Sequence, residues 1–180
     1  TGGRSIYMPN VTAPFDETVT RCRKARESGA GGVLVCPGLS GIDAMRFIAA
    51  DDSLSLPVMA HPAFWGSFVT SGVNGFSHYA LYGQLMRLAG ADATVFPNYG
   101  GRFSFSWEEC LEIAKGCVDP MGTSAPIFPT PGGGMTTDRA REMLDLYGKD
   151  FIILIGGGLH RHGPDLEENS RFFRAMLESL

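Results

Sequence analysis

Six short apolar segments recur along the chain, each rich in β-branched or aromatic residues. Apolar residues follow one another in these segments rather than alternating with polar ones. A continuous apolar run of this length is typical of a parallel strand that is buried on both faces. The pattern therefore predicts six parallel strands, at residues 5–8, 32–36, 56–60, 93–96, 126–128 and 151–155.

Between the strands, apolar residues recur at helical spacing and are framed by residues that begin or end helices. Ser106 and Glu109 have the spacing of a capping box. Gly29 and Gly148 follow two other segments, where glycine commonly ends a helix. These patterns predict helices at residues 16–27, 42–50, 77–88, 106–117, 137–147 and 165–180.

Strand and helix thus alternate six times, which fits either a doubly wound sheet or a TIM (β/α)8 barrel. A complete barrel has eight such units in roughly 250 residues. We therefore predict an α/β fold, an incomplete TIM barrel of about six βα units that lacks the first two. In both architectures the functional residues lie at the carboxyl ends of the strands, so the search for a site is the same.

Composition limits the possible partners and locations. The 180 residues are 44% hydrophobic, which is enough for one domain with a sizeable core. A net charge of −4 and the absence of a Lys/Arg run argue against nucleic acid, and no apolar run is long enough to cross a membrane. The four cysteines form no CxxC motif and are expected to be buried and reduced in a cytoplasmic protein. The first residue is not Met, so the chain is interpreted as a fragment or a processed piece.

Glycine is the unusual residue, with 24 copies, about twice the usual ~7% share. Two triplets follow the last two predicted strands: Gly132, Gly133 and Gly134, and Gly156, Gly157 and Gly158. The last two βα loops of a barrel often bind phosphate, because glycine lets backbone N–H groups approach an anion. A tight turn is the alternative for either triplet alone. Two triplets at neighbouring strand ends favour a phosphate site.

Three side chains at strand ends are further candidates. His61 directly follows a predicted strand and would carry a proton or donate a hydrogen bond to substrate oxygens, although a core histidine is the alternative. Asn98 and Arg102 lie in a glycine-rich loop, where the arginine would reach an anion or simply face solvent. No strand end carries a lysine or a pair of carboxylates, so any magnesium ligands are expected outside this chain.

Three segments in this order resemble the C-terminal barrel of the ribulose-bisphosphate carboxylase (RuBisCO) large-chain superfamily. They are residues 7–12 (Tyr-Met-Pro-Asn-Val-Thr), residues 83–92 (Gly-Gln-Leu-Met-Arg-Leu-Ala-Gly-Ala-Asp) and residues 151–158, which end in the second triplet. The resemblance covers nearly the whole chain, from the third barrel strand to the eighth helix. It implies that residues 1–180 are a barrel fragment that lacks the N-terminal domain and the first two βα units.

The chain is more similar to the RuBisCO-like proteins (form IV type) than to the carboxylases. Carboxylases have a His-Arg pair at the end of the fifth strand, where this chain has His61-Pro62. Their sixth loop carries a lysine, whereas Gly100-Gly101-Arg102 stands here. The glycines that hold one phosphate are kept, and Thr130 precedes them where the family has a serine.

The resemblance implies an enolase, isomerase or decarboxylase that acts on a phosphorylated keto sugar or keto acid and uses Mg²⁺. The metal would be held by a carbamylated lysine and two acidic residues upstream of this chain. Family members assemble as homodimers or higher homo-oligomers, so the fragment alone is expected to be inactive. A true carboxylase and a non-catalytic phosphometabolite-binding barrel remain the alternatives.

Overall fold

The computed structural model describes residues 5–101 and 105–179, which form one parallel sheet covered by helices. The four strands are β1 (Val33–Val35), β2 (Val58–Ala60), β3 (Ala93–Pro97) and β4 (Phe128–Gly132). They pair in chain order, β1-β2-β3-β4, and all pairs are parallel. A doubly wound sheet reverses its strand order at a switch point, and these four strands do not. The strand order therefore agrees with part of a barrel.

Helices precede, separate and follow the four strands in the sequence. They are α1 (Phe15–Glu27), α2 (Pro37–Ser40), α3 (Ile42–Ala49), α4 (Leu85–Leu88), α5 (Trp107–Val118), α6 (Ala140–Tyr147), α7 (Gly157–His162) and α8 (Leu166–Glu178). The predicted capping box of α5 is confirmed, because the Ser106 side chain accepts from Glu109 N–H and Glu109 accepts from Ser106 N–H. Asp165 caps α8 by accepting from the N–H groups of Glu167 and Glu168.

The two faces of the sheet have different neighbours. Strand residues such as Val35 and Phe96 belong to the main core, together with buried side chains of the helices. On the other face, Met59, Ala93 and Val95 form a smaller cluster. Packing of helices against one face, with strand side chains gathered on the other, is the layering of a barrel wall.

The first predicted strand, at residues 5–8, is wrong in position. The segment meets β1 through the single bridge Asn10↔Leu34, with Leu34 N–H donating to Pro9 O and Val11 N–H donating to Leu34 O. The bridge therefore lies a few residues later than the apolar run, within which Tyr7 O accepts from Gly31 N–H at 3.1 Å. Proline has no N–H, so Pro9 cannot donate to the ladder, and a proline is tolerated here because the segment is at the edge of the sheet.

The fifth predicted strand, at residues 126–128, is also displaced, because β4 is observed at Phe128–Gly132. Pro129 and Pro131 lie within it, and their carbonyls accept from the N–H groups of Ile152 and Leu154. Neither proline can return a hydrogen bond. The last predicted strand, 151–155, accordingly joins β4 through these two hydrogen bonds and the isolated bridge Gly132↔Leu154 rather than as a regular strand.

A π-helix packs against α5 through a close contact between two glycines. The predicted helix at residues 77–88 is observed as a π-helix, Tyr79–Gln84, that continues into α4. A Cβ on Gly83 would lie 2.5 Å from the carbonyl carbon of Gly116 in α5, so the two helices touch through their backbones. Arg87 is buried there and donates to four backbone carbonyls, which makes it a structural residue.

Candidate functional site

The carboxyl ends of β1–β4 lie at one edge of the sheet because the strands are parallel. His61 follows β2 at this edge, and its N–H continues the ladder by donating to Val35 O at 2.7 Å. Its ring Nδ1 accepts from Ala63 N–H at 3.2 Å. Burial lowers the pKa of His61 below its usual value, which favours the neutral ring. Since Nδ1 is an acceptor, the proton of the neutral ring is on Nε2.

The first glycine triplet begins as β4 ends. Gly132 pairs with Pro97, and its carbonyl accepts from Asn98 N–H at 2.8 Å. Gly133 has φ of +89° and Gly134 has φ of +66°, a backbone conformation that favours glycine strongly over other residues. A Cβ on Gly133 would meet nothing within 4 Å, so this position borders open space. The turn is therefore both glycine-dependent and open to a ligand on one side.

The second triplet is predicted to form a loop, but in the structure it begins a helix. Gly156 is the N-cap of α7, and Gly157 and Gly158 are its first two residues. Apolar strand residues followed by three glycines gave no helix signal, because glycine is a poor helix former. The change matters for the site, because it places the side chain of Arg161 one helical turn after Gly157.

Glycine contacts bring the loops after β3 and β4 and the start of α7 together. A Cβ on Gly134 would lie 2.9 Å from the Cα of Gly101, in the loop after β3. A Cβ on Gly158 would lie 2.4 Å from the backbone oxygen of Met135, the residue after the first triplet. These approaches leave no room for a side chain. The two triplets are therefore joined into one continuous backbone surface.

Arg161 is a candidate site residue that the sequence interpretation missed. A Cβ on Gly157 would lie 2.9 Å from Arg161 Nη1, so the guanidinium folds back along the second triplet. A cation beside glycines that border open space is the arrangement expected for an anion site. The spacing of four residues from Gly157 would have revealed this neighbour if the helix had been predicted.

Two other predicted site residues lie in the core. Asn98 is 1% exposed; its amide nitrogen donates to the sulfurs of Met135 and Met143, and its oxygen accepts from Tyr147 Oη at 2.7 Å. Thr130 is fully buried in β4, where its hydroxyl donates to Phe128 O. The structure does not support a ligand role for the Asn98 side chain, since its polar atoms are already bonded internally. Substrate contact by Thr130 stays a prediction.

Arg102, the last predicted site residue, lies outside the described residues. Within residues 5–101 and 105–179, no three His, Cys, Asp or Glu side chains cluster closely enough to hold a metal ion. All four cysteines are buried and form no disulfide. None of the helices in this described part is long and apolar enough to cross a membrane.

Comparison with known proteins identifies relatives along the full length of this chain. No protein-family model matches. The chain is 35% identical over 180 residues to the 2,3-diketo-5-methylthiopentyl-1-phosphate enolase of Bacillus velezensis, covering 100% of this chain and 44% of that protein. It is 33% identical over 178 residues to a ribulose bisphosphate carboxylase-like protein of Archaeoglobus fulgidus, covering 99% of this chain and 41% of that one. The chain thus spans less than half the length of these relatives.

Solved structures agree with these relatives. A RuBisCO-like protein from Alicyclobacillus acidocaldarius superposes with a TM-score of 0.90 at 31% identity, covering 99% of this chain and 45% of that chain. A RuBisCO-like protein from Rhodopseudomonas palustris gives a TM-score of 0.83 at 37% identity, covering 98% and 46% of the two chains. The octameric RuBisCO of Pyrococcus horikoshii, 24% identical, shares the fold with a TM-score of 0.90 over 99% of this chain and 42% of that one. The predicted partial barrel is confirmed.

Proposed function

Because the chain belongs to the RuBisCO-like protein family and corresponds to part of its C-terminal barrel, we propose that the complete protein is an enolisation-type enzyme. Its substrate would be a phosphorylated keto compound, and the reaction an enolisation, isomerisation or decarboxylation beside the carbonyl. This chain would supply a phosphate-binding site made of the two glycine triplets and Arg161, which we call the phosphate grip. The Bacillus velezensis relative is named as a 2,3-diketo-5-methylthiopentyl-1-phosphate enolase. Its substrate, 2,3-diketo-5-methylthiopentyl 1-phosphate, is therefore the first compound to test.

The observation that carries the proposal is the meeting of the two glycine triplets beside Arg161. Gly158 approaches the backbone of Met135, directly after the first triplet, while Gly133 and Gly156 border open space. Backbone N–H groups can bind an anion there without a side chain in the way. A guanidinium next to Gly157 adds a permanent positive charge. One phosphate group is the ligand that this combination fits.

His61 is proposed as the residue that donates a hydrogen bond to a substrate oxygen. Its Nδ1 is occupied by Ala63 N–H, and the lowered pKa keeps the ring neutral, so Nε2–H is the free donor. A neutral donor stabilises negative charge that develops on an oxygen beside the carbonyl during enolisation. In this arrangement His61 acts as a donor and not as the base that removes the proton.

Magnesium remains an expectation from the family. The residues at the described strand ends offer no cluster of ligands that would fit the ion. We propose that the ligands, including a carbamylated lysine, lie in the rest of the protein and that a homodimer or higher homo-oligomer completes the site. The Pyrococcus horikoshii and Hyperthermus butylicus RuBisCOs are described as octameric and dimeric.

The main alternative is a true ribulose-bisphosphate carboxylase. Pro62 stands where the carboxylases have an arginine, and Gly100-Gly101-Arg102 stands where they have a lysine, so this sequence lacks both side chains. A non-catalytic phosphometabolite-binding barrel is the other alternative. Incorporation of labelled CO₂ into ribulose bisphosphate by the full-length protein would establish the first, and binding without turnover would establish the second.

The deciding experiment measures deuterium exchange beside the carbonyl of phosphorylated substrates. Full-length protein with Mg²⁺ and bicarbonate is incubated in D₂O with 2,3-diketo-5-methylthiopentyl 1-phosphate and a set of ketose phosphates. We expect exchange into at least one singly phosphorylated compound, detected by NMR. No exchange into any of them, under conditions where the protein binds phosphate, would contradict the enolisation proposal.

A single glycine substitution tests the phosphate grip separately. Gly157→Asp adds a carboxylate that repels phosphate and pairs with Arg161, so we expect binding of inorganic phosphate to be abolished while the fold is kept. Thr123→Asp adds the same charge to an exposed turn before β4, at the opposite edge, and serves as the control. Unchanged phosphate affinity of Gly157→Asp by calorimetry would remove this role from the second triplet.

A further inference from the structure

Tyr99, Arg139 and Glu142 form a compact polar cluster that joins the loop after β3 to the segment after β4. We refer to these three residues as the clasp. Both carboxylate oxygens of Glu142 are bonded within it: Arg139 Nε donates to Oε2 at 3.0 Å and Tyr99 Oη donates to Oε1. The Arg139 guanidinium also lies over the Tyr99 ring, 4.6 Å from its centroid. Each member therefore contacts both others.

The clasp also binds the backbone of the first glycine triplet. Arg139 Nη1 donates to Tyr99 O at 3.1 Å and to Gly134 O at 3.4 Å, so one guanidinium nitrogen links the two loops. Gly101 and Gly134 touch directly at this junction. Two independent kinds of contact, charged hydrogen bonds and a backbone approach that only glycine allows, thus fix the triplet to residues 99–101.

The hydrogen bond from Arg139 to the Gly134 carbonyl also orients the next peptide group. In a planar trans peptide the C=O and the following N–H point in opposite directions. Because Arg139 holds Gly134 O, the N–H of Met135 is turned to the side away from the guanidinium. The same residue, Met135, contacts Gly158 of the second triplet. The clasp therefore sets the orientation of a backbone donor at the junction of the two triplets.

The charge state of the clasp is stable near neutral pH. The hydrogen bonds from Arg139 and then Tyr99 lower the pKa of Glu142 below its usual value. Burial, followed by the hydrogen bond to Glu142, raises the pKa of Tyr99 to about 12. Glu142 is thus an anion and Tyr99 a neutral donor at pH 7, as their hydrogen bonds require.

We propose that Tyr99, Arg139 and Glu142 are positioning residues that hold the first glycine triplet in its phosphate-binding shape by tying it to residues 99–101. This inference rests on the proposed phosphate role of the triplets. The clasp itself does not contact the ligand. It acts through the peptide groups at Gly134 and Met135, so its loss weakens the grip without removing any group that touches phosphate.

The test uses the full-length protein and inorganic phosphate as the probe. Arg139→Met and Glu142→Gln each break the clasp, and we expect each to weaken phosphate binding by about 10-fold in calorimetry. Tyr99→Phe removes only the hydroxyl and should weaken binding by about 3-fold. Arg141→Met is the matched control, because Arg141 lies in α6 with Glu142 and pairs with Asp145 at 3.8 Å on the surface. It should bind phosphate as the unaltered protein does.

Hydrogen–deuterium exchange provides a second measurement that distinguishes positioning from general stability. Amides of residues 99–101 and 133–135 should exchange faster in Arg139→Met and Glu142→Gln, at a temperature where both variants are folded. Faster exchange with unchanged phosphate affinity would overturn the proposal, as would unchanged exchange. If either variant fails to fold, Tyr99→Phe decides, and a normal affinity in that variant would refute the positioning role.

The clasp and the proposed function can fail separately. If Gly157→Asp abolishes phosphate binding while all clasp variants bind normally, the grip is real and only the clasp inference is wrong. If the unaltered protein does not bind phosphate, neither triplet has a phosphate role and the inference fails with the proposed function. If it binds phosphate and Gly157→Asp binds it normally, only the second triplet loses its role, and the clasp variants still decide the inference.

Discussion

Replacing Gly158 with alanine should destabilise the full-length protein, whereas the same change at the neighbouring Gly157 should not. A Cβ on Gly158 would lie 2.4 Å from the backbone oxygen of Met135. Met135 O is a backbone atom and cannot rotate away as the end of a side chain can. Either α7 or the segment after β4 must therefore move. Overpacking of this kind costs about 1–3 kcal/mol.

Gly157 provides a control within the same helix. Its Cβ would meet only the guanidinium of Arg161, at 2.9 Å, and that group ends a long flexible side chain that can move. Alanine is also the better helix former, although its advantage at the first residue of α7 is smaller than the ~1 kcal/mol of a helix interior. We therefore expect Gly157→Ala to leave stability unchanged or slightly raised.

The assay compares guanidinium denaturation midpoints of the two variants and the unaltered protein, at equal protein concentration. Gly158→Ala should shift the midpoint to lower denaturant with little change in slope, since the same surface is exposed on unfolding. It should also weaken phosphate binding, because Met135 directly follows the first triplet. Equal midpoints for the two alanine variants would refute the close approach between the triplets.

Two further predictions concern the loop after β2. Phe64 has φ of +74° and is 73% exposed, so Phe64→Gly should be more stable than Phe64→Ala by about 1 kcal/mol, because alanine keeps the backbone strain. Equal denaturation midpoints of the two variants would contradict this reason. His61→Asn, whose amide falls near the position of Nδ1, should lose about 100-fold in kcat for deuterium exchange. His61→Gln, whose amide reaches the position of Nε2, should retain more activity, and the reverse order would exclude Nε2–H as the donor.

Local signals in the sequence predicted much of the fold because they act over a few residues. The capping pattern of Ser106 and Glu109 needs only a spacing of three, and α5 begins directly after Ser106. Edge strands were predicted less well. Apolar character placed a strand at residues 5–8, but Pro9 and the pairing with Leu34 moved the contact further along the chain.

The roles of polar side chains depend on partners that are distant in sequence. Asn98 is bonded to Met143 and Tyr147, which follow it by 45 and 49 residues. Nothing near Asn98 in the chain distinguishes a buried amide from a ligand-binding one. The contact between Arg139 and Tyr99 joins residues 40 positions apart. Such side-chain contacts depend on the strand order of the barrel, so they can be identified only when the fold is known.

The proposed function separates phosphate recognition from substrate choice. The proposed grip consists of backbone at Gly133 to Met135 and at α7, and we propose that glycine contacts and the clasp set its shape. Backbone N–H groups in this grip would bind the phosphate group of a substrate and not the rest of the substrate. Discrimination among keto compounds must therefore come from groups near the carbonyl and beyond it, such as His61 and the loop that carries Phe64. Changes in that loop should alter which substrate reacts, while changes at Gly134 or Gly158 should weaken all phosphorylated substrates together.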